Sequence, residues 1–263
     1  MQTSLPARSF FVRPRRRWAG GWLAAALLAG CATDPAAPPP PPPAPAPRGE
    51  VTGVPATSGE LVQSDTNRFV TLEMRANLDS LYLLMDKLYR RNPAEWRKSG
   101  AASADAAAAR VRDAVEQRTP WPTLQGRRDI AALSLALAPE FAGDRVAAVV
   151  YATADMLVTA HGGKTVFYLV DSLDAQHLYN AARNIEIVVW MLAHRTDAAG
   201  RPLLLADELT PAVRNLSYER EFGKIVARLD LVAVFGTERY RRAAIGYVQG
   251  LLGGQFVQFL PVR

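Results

Sequence analysis

The chain contains one cysteine, Cys31, in 263 residues. A single cysteine excludes an internal disulfide framework and the cysteine spacings of zinc fingers and ribbons, so the folded part must rely on packing. Histidine is nearly as scarce, with only His161, His177 and His194. His177 and His194 lie 17 positions apart on one expected helix, hence about 25 Å apart at a rise of ~1.5 Å per residue, and cannot share a metal. There is no Gly-x-Ser-x-Gly elbow, phosphate-cradling loop or dinucleotide fingerprint. Gly162-Gly163-Lys164 has pieces of a phosphate loop without its spacing, and a helix stop explains the glycines better. No apolar run reaches the ~20 residues of a spanning helix.

Charge is also unevenly spread. The formal net charge is +6, which would ordinarily point to an acidic or nucleic-acid partner. However, Arg8, Arg13, Arg15, Arg16 and Arg17 precede Cys31 and no acidic residue does, leaving +1 for the remainder. The basicity belongs mostly to the N-terminal stretch. Nucleic acid has no support, for there is no RNP-like aromatic motif either. Arginine greatly outnumbers lysine and alanine is abundant, as the base composition of a GC-rich genome dictates.

The residues before Cys31 have the three parts of an export signal: a basic start, an apolar middle from Trp22 to Leu28, and small residues at the cut. The segment Leu28-Ala29-Gly30-Cys31 resembles the lipobox of bacterial lipoproteins. That resemblance implies a thioether-linked diacylglycerol on Cys31, cleavage before it and acylation of the new amino terminus. No other cofactor is expected. Several buried acyl chains, at roughly 0.8 kcal/mol per methylene, make a stable membrane anchor where one chain binds only reversibly. Ala32 follows the cysteine where family members retained at the inner membrane commonly carry aspartate, so the resemblance implies an outer-membrane address facing the periplasm. The alternatives are a chance Ala-Gly-Cys in an ordinary cleavable signal and, for Arg15-Arg16-Arg17, a twin-arginine route.

Three regions follow: a signal over 1–30, a lipidated flexible tether over 31–64, and a helical periplasmic domain over 65–263. Pro35 to Pro47 is only proline and alanine, with six consecutive prolines from Pro38 to Pro43. Proline fixes its backbone angle and lacks an amide donor, so this stretch is expected to be an extended spacer rising ~3.1 Å per residue. A docking site for a proline-binding domain is the sharper alternative. About 200 residues remain, enough for one domain with a substantial core.

The expected fold class is mainly α, a single compact multi-helix domain. Met74, Leu78, Leu81, Met85 and Leu88 alternate four and three apart, predicting a helix over about 66–91 that Asn92-Pro93 stops. Pro93 then opens a short helix carrying Trp96. Residues 101–117 are alanine-rich and predict a peripheral helix, since no large apolar residue is present. Thr119-Pro120-Trp121-Pro122 is a break, and 130–138 is a short helical run. Val146 to Ala160 is apolar except at Thr153, Asp155 and Thr159, which predicts a central buried helix opened by Gly143-Asp144. Residues 165–170 are rich in β-branched and aromatic types and predict a short strand without a clear partner. Asp174 is expected to cap a second core helix reaching about His194, with Trp190 on its apolar face, and Ser217 to cap a third with Phe222, Ile225, Val226, Leu229, Val232 and Ala233 buried. The uncharged stretch 243–262, broken by glycines, reads as a final core segment, with membrane contact as the alternative. Segments such as Leu81 to Arg97 and Leu173 to Ala193 also resemble lipoproteins of Gram-negative bacteria, a resemblance that implies no activity.

Among polar residues, Asp155 and Glu186 stand out because both lie in apolar helical surroundings. Each is either an acid with a raised pKa or half of a structural ion pair. Arg183, one turn before Glu186, favours the pair. Arg220, Lys224 and Arg228 recur every four residues, placing like charges on one stripe unless acids meet them. They are candidates for an anionic cell-wall ligand or for cross-helix pairing. The functional expectation is a binding or organising module for an envelope component, such as an envelope protein or an anionic cell-wall ligand. Two alternatives are an envelope hydrolase that assembles Asp155, Glu186 or a histidine only on folding, and a protein that inserts its C-terminal apolar segment into the membrane.

Overall fold

The computed structural model describes residues 57–169, 171–210 and 213–251; Cys31, the proline-rich stretch and 252–262 lie outside them. The architecture is mainly helical. Its elements are α1 (Asp65–Arg91), α2 (Pro93–Lys98), α3 (Ala104–Glu116), α4 (Asp129–Ala136), α5 (Arg145–Ala160), α6 (Ala175–His194), a hairpin of β1 (Glu208–Leu209) and β2 (Arg214–Asn215), and α7 (Ser217–Leu251). Helix α5 is the axis. It packs against α1, α2, α3, α4 and α6, while α7 lies along α6 and α1.

Helix α5 has no solvent face: fourteen of its sixteen residues are buried, with Asp155 and Thr159 as the exceptions. Its many alanines let neighbouring helices approach closely, and Val146, Val149, Val150, Met156, Leu157 and Val158 fill the spaces between them. Thr153 satisfies its own hydroxyl by donating to the Val149 carbonyl at 2.8 Å. The Asp144 side chain caps the helix by accepting from the Ala147 amide at 3.0 Å.

The first turn of α5 is a polar knot inside the core. Tyr89 on α1 donates to Asp144 Oδ2 at 2.8 Å, and the Arg145 amide donates to Glu95 Oε2, also at 2.8 Å. The buried Arg145 guanidinium reaches the carbonyls of Ala136, Ala138, Pro139 and Phe141, closing off the end of α4. Burial pushes the Tyr89 and Asp144 pKa values up and that of Arg145 down.

Several expectations need correction. Helix α3 is not peripheral, because Ala107, Ala108, Val111 and Val115 are buried against α5 and α1. Small residues there are what let three helices meet. Residues 165–169 form no strand. Their backbone is satisfied by side chains of the first helix and the segment before it: Thr71 Oγ1 accepts from the Phe167 amide at 3.1 Å, Gln63 donates to the Phe167 carbonyl at 2.7 Å, and Asn67 donates to the Tyr168 carbonyl. Upstream of the boundary drawn at residue 65, Ser58–Val62 form a 3-10 turn, and the Val62 carbonyl accepts from Leu169. Trp190 is 56% exposed and stacks on His194 instead of entering the core.

Ser217 is not a cap but the first helical residue of α7. Asp207 accepts from the Tyr218 amide and Asn215 from the Ser217 amide, so the hairpin caps this helix from outside. Phe222, Ile225, Leu229, Val232 and Ala233 are buried, with Val226 partly so. The helix then continues through Gly236, Gly246 and Gly250, and residues 243–250 are not a core segment: Tyr247 is 70% exposed. Glycine lowers helix propensity by about 1 kcal/mol relative to alanine, too little to stop a long helix without a competing cap.

Two measurements test this packing. Leu157→Ala removes a fully buried side chain from the axis, so it should lower unfolding free energy by about 2–5 kcal/mol, seen as an earlier urea midpoint at unchanged slope. Asp174 caps α6 by accepting from the Gln176 and His177 amides, which holds its carboxyl below the ordinary aspartate pKa. With the folded value below an unfolded value of about 3.9, the stabilisation is complete above that pH and is lost as pH falls through the folded pKa. Asn at 174 caps without titrating, so Asp174→Asn should lose less stability than the parent on acidification from about pH 5 to about pH 3.

Candidate functional site

Two polar constellations surround α5, one sealed and one open. The sealed one lies between α1, the end of α5 and α7. His161, 1% exposed, forms a hydrogen bond through Nδ1 to the Leu157 carbonyl at 2.8 Å and through Nε2 to Glu73 Oε2 at 3.0 Å. Asn77 donates to the other Glu73 oxygen. Arg228 reaches across from α7 to the Ala76 carbonyl, Asn77 Oδ1 and Ser80 Oγ at 3.1, 3.3 and 3.1 Å. The side-chain oxygens and nitrogens of this seam answer one another, and none of the four side chains Glu73, Asn77, Ser80 and His161 lines a described cavity. Its role is to hold α1, α5 and α7 in register.

The open one lies where α5 surfaces. Arg118, Trp121, Leu124, Gly126, Arg127, Arg128, Tyr151 and Asp155 line a cavity of about 240 Å3. Tyr151 and Asp155 come from consecutive turns of α5. Arg128 immediately precedes α4, and the others come from the loop that follows α3. Arg128 grips Asp155 through two bonds, Nε to Oδ2 and Nη2 to Oδ1, both at 2.9 Å, and donates to Thr159 Oγ1 at 2.6 Å. This bond to Asp155 raises the Arg128 pKa further, so it stays cationic. Trp121 stacks on Tyr151 with ring centroids 5.5 Å apart and planes 28° from parallel, giving the cavity a flat aromatic wall. Burial pushes the Tyr151 hydroxyl pKa up, keeping it neutral.

Arg118 and Arg127 are exposed and form no ion pair among the described residues. The backbone around them is strained. Arg118, Gln125 and Asp129 are the non-glycine residues at positive φ among the described residues, at 56°, 53° and 51°; Arg118 lines the cavity and the other two are sequence neighbours of lining residues. Arg118 sits just past the end of α3, where its amide bonds to the Val115 carbonyl and the Thr119 amide to Ala114, the arrangement that glycine usually completes. The left-handed conformation costs a residue with a β-carbon roughly 1–2 kcal/mol. Gly163 supports the same arginine from below: at φ 80°, a β-carbon there would lie 2.9 Å from Arg118 Nη1.

The residues singled out from sequence are scattered by the fold. Asp155 belongs to the cavity, half-buried and paired with Arg128. Glu186 is exposed, contrary to its apolar sequence surroundings, because it lies on the outer side of α6, where it pairs with Arg183 at 3.3 Å. Arg183 makes its shorter bond, 2.7 Å, to Asp230 and so ties α6 to α7. The stripe Arg220, Lys224, Arg228 is not one anion-binding face: Lys224 pairs with Glu221 at 2.7 Å and Arg228 turns into the buried seam, leaving Arg220 exposed. Asp155 shares its cavity with neither Glu186 nor a histidine. Among the described residues no group of histidine, cysteine and acidic side chains is placed to hold a metal, and no helix is long and apolar enough to cross a membrane. Compared with protein-family models, curated proteins and solved structures, the chain finds no match.

Sequence reasoning missed Arg118, Trp121, Arg127, Arg128 and Tyr151. The available signal was the rigid Pro120-Trp121-Pro122 loop running into Gly126-Arg127-Arg128, with an aspartate and a tyrosine four apart on the next apolar helix. If the sealed seam is structural, Glu73→Leu strands His161 Nε2 in the core and should lower stability by about 1–3 kcal/mol. Chemical denaturation of Glu73→Leu, His161→Leu and the double variant should show the double losing less than the sum of the singles.

Proposed function

We propose that this protein is a lipid-anchored periplasmic module of the outer membrane that binds an anionic envelope component in the cavity built on Asp155. The location rests on the lipobox-like Leu28-Ala29-Gly30-Cys31 at the end of a short apolar run, with Ala32 after it. Pro35 to Pro47, thirteen residues of only proline and alanine, have the composition of a spacer between such an anchor and the domain.

The observation that carries the binding role is the pair Arg118 and Arg127 at the rim of a concave, aromatic-walled cavity. Guanidinium groups without a carboxylate partner of their own match carboxylate or phosphate in planar, two-pronged fashion. Concave sites with an apolar wall and a few convergent polar groups are where small ligands bind. Asp155 serves as the post that fixes Arg128, and a carboxylate gripped at both oxygens by an arginine is a poor general acid. That favours binding over hydrolysis.

Two measurements test the reading. In a Gram-negative host, radiolabelled palmitate should enter the wild-type protein and not Cys31→Ala, and the outer-membrane fraction should lose the variant. Crosslinking in the envelope should capture an anionic cell-wall or lipid-derived component with the wild type and far less of it with Arg118→Gln/Arg127→Glu. Equal labelling of both proteins would overturn the anchor, and equal capture would overturn the site.

A further inference from the structure

Resting on the reading of this cavity as an anion site, we infer that its ligand is an anionic saccharide, a sugar ring bearing a carboxylate or phosphate. Three features of the cavity select this class together. Its volume, about 240 Å3, falls below the ~300–1,000 Å3 of pockets for drug-sized ligands and suits a single ring seated within it.

The wall made by Trp121 against Tyr151 offers a flat face of negative quadrupole to whatever lies on it. The axial C–H face of a pyranose is weakly positive and of matching area. An unadorned inorganic anion gains nothing from such a wall.

The third feature is the charge layout. Arg118 and Arg127 line the cavity as cations without an acidic partner among the described residues, while Asp155, paired with Arg128, lines it as a carboxylate. Each carboxylate oxygen has a second lone pair, and only a donor can use it. A ligand that fills the site must therefore carry a negative group and, a few ångströms away, hydroxyl or amide donors. An aromatic or aliphatic acid would place apolar carbon against Asp155 and leave the lone pairs that Arg128 does not use without a donor. A hydroxylated ring with one charged substituent meets the cations and the carboxylate at once, with its face on Trp121.

The test is calorimetric titration of the full-length protein in non-ionic detergent with five probes: glucuronate, glucose 6-phosphate, glucose, cyclohexanecarboxylate and inorganic phosphate. Glucuronate or glucose 6-phosphate should bind at least about tenfold more tightly than the other three, a difference of about 1.4 kcal/mol. The preferred member of that pair tells a carboxylated from a phosphorylated sugar. Arg127→Gln should lose at least about tenfold in affinity for it while keeping the parent melting temperature, because Arg127 is exposed and forms no ion pair among the described residues. Trp121→Leu should weaken both charged sugars and leave any phosphate binding unchanged. If cyclohexanecarboxylate or phosphate binds as tightly as the charged sugars, the anion site stands and the saccharide assignment fails. If glucose binds as tightly, the arginines are not the determinant, and if no probe binds, both readings fall.

Discussion

The constraint on which the rest of the structure depends is that α5 is buried on every side. A helix with no solvent face cannot leave its ends or its polar side chains to water, so each must be answered by a neighbour. At the first turn the answer comes from Tyr89 on α1 and Glu95 on α2, through Asp144 and the Arg145 amide. At the last turn it comes from Glu73 on α1, which meets His161. The polar groups that hold α5 therefore also fix where α1, α2 and α7 lie around it. The polar network and the apolar core determine one geometry together.

Asp155 and Thr159 are the two places where α5 escapes burial, and both accept from Arg128. That ties the loop after α3 to the buried axis of the fold. Trp121 reaches the same turn by stacking on Tyr151. The cavity thus has a buried back on which Arg128 is fixed by Asp155 before a ligand arrives. Preorganisation of this kind lowers the ordering cost that binding otherwise carries.

Periodicity exposed most of this fold because it reports local burial. The four-and-three spacing from Met74 to Leu88 marks the buried stripe of α1, and the unbroken apolar run from Val146 marks the axis. It failed where burial was decided by partners far along the chain. The segment 165–169 has strand-like residues, yet its backbone bonds go to Thr71, Gln63 and Asn67, about a hundred positions earlier. Glu73, Asn77 and Ser80 are polar at helical spacing and would read as a solvated face; they are buried because Arg228 and His161 arrive to satisfy them. In the same way, Glu186 has apolar sequence neighbours and lies in solvent, whereas Asp155 has similar neighbours and lies in a cavity. Hydropathy around an acid measures the helix it sits on, not the direction it faces.

Charge counting fails for a related reason, and it bears on where function lies. Once the N-terminal arginines are set aside, the chain is close to neutral, so no broad basic surface is available to attract an anion by field alone. What matters is which cations the fold leaves uncommitted. Arg145 closes the end of α4, Arg183 ties α6 to α7, and Arg228 bridges α7 to α1. Each is spent on architecture, although the sequence offers Arg228 as a candidate for an anionic ligand. Arg118 and Arg127 are held at a concave surface without an acidic partner among the described residues, one of them on a strained backbone. Arg118 is left-handed because it closes the C-terminus of α3, where its amide and that of Thr119 bond back to the Val115 and Ala114 carbonyls. The end of that helix thus sets an uncommitted guanidinium at the cavity rim, beside Gly163.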